Sequence, residues 1–261
     1  MSDDEKKQIA KLKGATTRRL RKLCAQHLEP LGFKKDGGQF WFRTTNTLRQ
    51  NFHFSFANGA KIFCERSFAY LPDFSCWSDA PQDSKTQEAL ERFRSAKLKS
   101  FEVGAVQSLV RADPMGWDFP PENDDVEIIL NQAESFLTTN AIPFFERYQE
   151  ANDVLRGYLA GVPETDIFGF GGNVFWVPFY FATTYFHNGA YAEAAASFDQ
   201  AVEETLDACR RMSPDWLDPQ TGWLREDDSF RVYMDAAKIG ADCMRRLAES
   251  QGKAGERITG D

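Results

Sequence analysis

Histidine is scarce. Only His27, His53 and His187 occur in 261 residues, and they are scattered. Little is left for an imidazole metal site or a catalytic dyad. Cys24, Cys64, Cys76, Cys209 and Cys243 are odd in number and widely spaced, with no Cys-x-x-Cys pair. That pattern excludes a disulfide framework or zinc knuckle and reads as buried free thiols in a reducing compartment. Long apolar runs are missing too. The longest, from Val174 to Phe186, contains Pro178 and spans about 13 residues, too short for a bilayer. The opening Met-Ser-Asp-Asp-Glu-Lys-Lys has no apolar signal core. A cytoplasmic chain without membrane association is expected. Gly169-Phe170-Gly171-Gly172-Asn173 lacks both a Walker lysine and dinucleotide spacing, so it reads as a turn between packed helices. No cofactor, metal or catalytic residue set is expected.

Aromatics are plentiful: 23 Phe, 7 Tyr and 6 Trp supply both core and interface area. The net charge of -8 argues against general nucleic-acid affinity. The first 35 residues run the other way, with Lys and Arg in excess. Arg18, Arg19, Arg21 and Lys22 cluster there as candidate anion contacts, or as a solvated helix face.

Ser2 and Glu5 have capping-box spacing. The helix behind them carries Ile9, Leu12, Thr16, Leu20, Leu23, Cys24, His27, Leu28 and Leu31 in steps of three and four, and Pro30 and Gly32 end it. Strands follow at Gln39–Arg43, Leu48–Phe56 and Ala60–Tyr70, the last two joined by Asn58-Gly59, a strong hairpin signal. Phe52, Phe54 and Phe56 share one face of the middle strand; Asn51, His53 and Ser55 form its polar face, a candidate binding surface. A polar helix at Lys85–Ala96 and a fourth strand at Ser100–Val110 are predicted next. Asn123-Asp124-Asp125 should cap a helix bearing Val126 to Leu137, where capping and the helix dipole account for the acids better than a cation site does. One helix is expected from Pro143 to Leu159 and a last one at 226–249, with 251–261 disordered.

The fold class is therefore α+β: an N-terminal helix on an antiparallel sheet, residues 1–140, followed by a helical region, residues 141–250. Leu28-Glu29-Pro30-Leu31-Gly32-Phe33-Lys34-Lys35, then Gly38, Phe40, Phe42, Arg43, Gln50-Asn51-Phe52 and Trp117, resemble the bacterial domain of unknown function 4304 family over roughly residues 10–150. The resemblance implies a small α+β domain, associated at most with immunity to toxins, and offers no catalytic residue. Tyr185, Gly189, Tyr191, Ala194, Phe198 and Ala201 resemble one tetratricopeptide-type hairpin over 176–211. Pro178 departs from the pattern at its tryptophan position and Leu206 at its proline position, and no second copy appears. The hairpin should therefore lean on neighbouring helices.

A non-catalytic protein-binding module, immunity-like in kind, is the expected function. Its contact groove would be lined by Trp176, Phe179, Tyr180, Thr183, Thr184 and Trp223. The alternatives are nucleic-acid or acidic-partner binding through the basic helix, and an enzyme with a site on the sheet around His53. The sequence leaves the oligomeric state open.

Overall fold

The computed structural model describes residues 3–57, 61–71, 73–102, 115–118, 124–162, 175–226 and 230–258. The chain divides into two compact units. The first holds residues 1–70 and 108–171, the second 71–107 and 172–261.

In the first unit, α1 (Asp3–Leu28) buries Leu12, Thr16, Leu20, Cys24 and Leu28, one residue per turn on a single face. Thr16 donates its hydroxyl to the Leu12 carbonyl, which satisfies the polar group inside the core. Gly32, at φ +85°, closes the 3-10 turn Glu29–Leu31 by donating its N–H to the Glu29 carbonyl. The sheet is an antiparallel meander of five strands in sequence order: β1 (Lys34–Asp36), β2 (Phe40–Thr44), β3 (Leu48–Ala57), β4 (Lys61–Tyr70) and β5 (Met115–Asp118). The β3–β4 register runs to Ala57 opposite Lys61, flanking the expected Asn58-Gly59 turn, which lies outside the described residues. Ser2 of the capping box lies outside them as well.

The core face of the sheet carries Trp41, Phe52, Phe54 and Phe68, all fully buried. Phe136 of α3 (Asp124–Phe136) and Phe144 of α4 (Ile142–Arg147) cover it; a π turn (Leu137–Ala141) joins the two helices, and α5 (Ala151–Leu159) follows. Phe68 stacks on Phe144 at 5.7 Å between ring centres, and Phe33 meets Phe145 at 5.0 Å.

The second unit contains the 3-10 turn Ser75–Trp77, α2 (Ser84–Glu102), α6 (Trp176–His187), α7 (Tyr191–Met212), a 3-10 turn Pro214–Trp216 and α8 (Arg231–Ile258). Gly189, at φ +72°, turns the chain from α6 into α7. Small residues bring helices close: Ala182, Ala194 and Ala201 are buried, and a Cβ on Gly240 would lie 2.9 Å from the Phe198 ring. Among the described residues, no helix is long and apolar enough to cross a membrane.

Four expectations are corrected, and one strand is added. A boundary near 140 does not match the compact units, because Phe144, Phe145 and Tyr148 pack in the first unit while Trp77 and Phe93 pack in the second. The Ser100–Val110 strand fails at its start, since α2 runs to Glu102; residues 103–110 are outside the described set, and the fifth strand is Met115–Asp118. The charged strand Lys34–Asp36 was not expected. The single helix over 143–159 breaks at Tyr148, and Asp153 Oδ2 accepts the Gln149 and Glu150 N–H groups at the restart. The last helix starts at Arg231 and continues to Ile258, through most of the expected disordered tail.

Candidate functional site

The expected aromatic groove is core. Trp176, Phe179, Tyr180 and Thr184 are each less than 5% exposed, and Thr183 is half-buried. Trp176 stacks on Tyr180 at 5.7 Å and meets Tyr233 of α8 at 4.9 Å; Phe179 meets Phe198 of α7 at 5.3 Å. Thr183 and Thr184 both donate to the Tyr180 carbonyl. A helix apolar on all sides seeks burial, and most of α6 obtains it from α7, α8 and the rings of Trp77 and Phe93.

Trp223 stands apart, on the connector between α7 and α8. That connector is a built loop. Leu217 and Leu224 form an antiparallel bridge, Asp218 Oδ1 accepts the Gln220 and Thr221 N–H groups, and the Arg225 N–H reaches the Trp216 carbonyl at 3.0 Å. The Thr221 and Gln220 N–H groups hold the Asp218 carboxyl below its ordinary pKa.

Two concavities adjoin this loop. One is an apolar cleft of about 340 Å³ at the C-terminal end of α7, lined by Cys209, Met212, Trp216, Leu224 and Phe230. Met212 is 78% exposed and Trp216 56%. The other is a polar groove of about 580 Å³ walled by the start of α2, the loop and the first turns of α8; Trp223, Lys85 and Lys238 line it. Neither the cleft nor the groove was read from the sequence, although Trp223 was singled out. The available signal for the cleft was two large apolar residues, Met212 and Trp216, in an otherwise polar stretch.

On the sheet, β2–β3 and β3–β4 pairing brings Phe40, His53 and Glu65 side by side. His53 Nε2 lies 3.3 Å from Glu65 Oε2. A histidine oriented by a carboxylate can hold or pass a proton. Asn51 is buried, and its Oδ1 has no hydrogen-bond partner among the described residues. Ser55 is half-buried on the same face.

The basic helix is partly committed. Arg19 pairs with Glu127 at 2.5 Å, and Arg21 donates to the Gly38 carbonyl. Arg18 and Lys22 are exposed. Glu127 lies at the helix start where Asp124 and Asp125 were weighed as cation ligands, and no group of three His, Cys, Asp or Glu among the described residues could hold a metal. His27 pairs with Glu134, and His187 with Asp73.

All five cysteines are buried. Burial pushes the Cys64 thiol up to about 12 and raises Cys24 and Cys76 as well. Cys243 is also raised by burial, even with the Arg246 guanidinium 3.2 Å away. The thiolate is the reactive form, so the native chain should show almost no reaction with Ellman's reagent at neutral pH. Guanidinium should release all five thiols. A thiol that reacts rapidly in the native state would contradict this burial.

The Gly169–Asn173 loop lies outside the described residues. Among known proteins, no family model matches the chain, and neither a characterised protein nor a solved structure does.

Proposed function

We propose that this chain is a non-catalytic, cytoplasmic protein-binding module whose contact surface is the apolar cleft at the end of α7. The exposure of Met212 and Trp216 beside that cleft carries the reading. Tryptophan and methionine are over-represented in protein interfaces, and a few such anchors hold most of the binding energy. The resemblance of the α6–α7 hairpin to a tetratricopeptide unit agrees with a scaffold that presents a binding face. A protein partner is favoured over nucleic acid because the net charge is -8, while Arg19 and Arg21 are engaged within the chain.

The test is site-specific photocrosslinking in the native cell. A benzophenone residue at position 216 or 212 should capture one discrete protein; the same residue at the exposed Ile128 should not. Trp216→Ala should weaken the captured complex by about 2 kcal/mol, some thirtyfold, without lowering the unfolding midpoint. Absence of a crosslink from 216 and 212, or equal yield from 128, would overturn the reading.

A further inference from the structure

We propose that the polar groove beside Trp223 is a binding site for a small planar organic anion: an aromatic or heteroaromatic ring carrying a carboxylate or phosphate. The groove does not overlap the Met212–Trp216 cleft and does not depend on its role.

The size fits. A volume of about 580 Å³ lies within the range of small-molecule sites, roughly 300–1,000 Å³. The wall is fixed before any ligand arrives. Trp223 Nε1 donates to Asp235 Oδ1 at 3.1 Å, Arg231 Nε spans both Asp235 oxygens at 3.2 Å, and Arg231 Nη1 reaches the Leu224 carbonyl. The indole is thus held at its edge by a carboxylate that is itself held by a guanidinium. Ala89 and Ile239 supply an apolar surface in the same groove. A flat ring finds stacking area and apolar contact there.

The charge sign follows from where the cations without an ion pair sit. Four acids line the groove: Asp218, Glu226, Asp235 and Asp242. Asp218 holds two loop N–H groups, Asp235 holds Arg231 and Trp223, and Asp242 pairs with Arg245 at 2.6 Å. Glu226 alone among them has no such partner among the described residues. On the basic side Arg231 is spent, but Lys85 and Lys238 form no ion pair among the described residues, and Lys238 Nζ sits 5.3 Å from the Trp223 ring centre. Asp218, held by neutral N–H groups, keeps its charge as Glu226 does, so the placement of Lys238 against the Trp223 ring, with no carboxylate paired to it among the described residues, is what favours an anion at that end of the groove. Lys238 beside the indole favours one whose charge is attached to a ring.

Calorimetric titration of the full chain tests this with matched probes. Indole-3-acetate and adenosine 5′-monophosphate are the anions; indole and adenosine are their neutral parents; tryptamine is the cation. At least one anion should bind saturably and about tenfold tighter than its parent, and whichever binds better assigns carboxylate or phosphate. The K85Q/K238Q double variant changes only exposed side chains and should weaken that anion about tenfold, while the neutral parent is unaffected. Added salt should weaken the anion in the same direction. W223L should abolish the ring's contribution, and M212S should change nothing. Failure of both anions to saturate, tighter binding of tryptamine, or an affinity unmoved in the double variant would each overturn the proposal. None of these outcomes bears on the cleft at Trp216.

Discussion

Trp77→Ala is expected to cost the second unit about 3–5 kcal/mol. Trp77 is buried, its Nε1 donates to the Ala236 carbonyl at 2.8 Å, and its ring meets Phe93, Phe198 and Phe179 at 5.0, 5.7 and 6.0 Å. Truncation opens a cavity among packed rings and removes the indole hydrogen bond to α8, whose Ala236 carbonyl keeps only its own helical partner. Urea unfolding followed by far-UV circular dichroism reads the loss. Gly240→Ala probes the same place from the other side. An added Cβ would lie 2.9 and 3.0 Å from Phe198 ring atoms and 3.1 Å from Trp77 Nε1. Overpacking of about 1–3 kcal/mol should outweigh the roughly 1 kcal/mol of helix propensity that alanine gains over glycine. The two changes should couple: Trp77→Ala removes the 3.1 Å contact and leaves space into which the Phe198 ring can shift, so the alanine's cost should fall by about 1 kcal/mol or reverse sign. Strict additivity would mean that α8 does not approach Trp77 this closely.

What the chain displays locally was readable, and what it settles at long range was not. The stripe of α1 and the buried set Val126, Ile129, Leu130, Ala133 and Phe136 of α3 repeat at helical spacing, so the helices announce themselves. The β3–β4 hairpin followed from alternation and the Asn-Gly pair. Trp77 shows the opposite case. It sits in Phe-Ser-Cys-Trp-Ser-Asp, a stretch with neither period, and its partners are residues 93, 179 and 198. Nothing local assigns residues 71–107 to the helical unit. The misplaced groove has a physical reason too. The spacing that predicts a hairpin leaning on neighbouring helices does not say which face they cover, and α8 covers the one bearing Trp176, as the Trp176–Tyr233 contact records. The loop that carries Trp223 is held by Asp218 and Gly222, ordinary turn chemistry that gives no hint of the concavities beside it.

Gln50→Leu is expected to destabilise the first unit by about 4 kcal/mol, more than its near-isosteric shape suggests. In sequence Gln50 is a polar residue in a strand. In the fold it is fully buried and joins three elements. Its Nε2 donates to the carbonyls of Phe145 and Tyr148, both at 2.7 Å, where the helical run breaks between α4 and α5. Its Oε1 accepts from Arg43 Nε at 2.8 Å, and Arg43 Nη1 continues to the Leu31 carbonyl at 2.9 Å. Burial lowers the pKa of the Arg43 guanidinium, so a lost acceptor there leaves a partly desolvated charge short of partners. Leucine orphans the Tyr148 carbonyl, leaves the Phe145 carbonyl only a long 3.4 Å bond from Arg43 Nη2, and strips Arg43 Nε of its acceptor; each loss costs about 1–3 kcal/mol, offset by the apolar area leucine buries. Gln50→Glu separates the two halves of the network. It keeps an acceptor for Arg43 but donates nothing to Phe145 and Tyr148, so carbonyl loss alone should still cost about 2 kcal/mol or more. Hydrogen exchange at residues 145–151 should rise in both variants, since these carbonyls pin the break in the helix to the sheet. If Gln50→Leu proves neutral and exchange there is unchanged, then packing of Phe144, Phe145 and Tyr148 against Phe68 and Phe33 holds the break without the amide, and the hub has no energetic role.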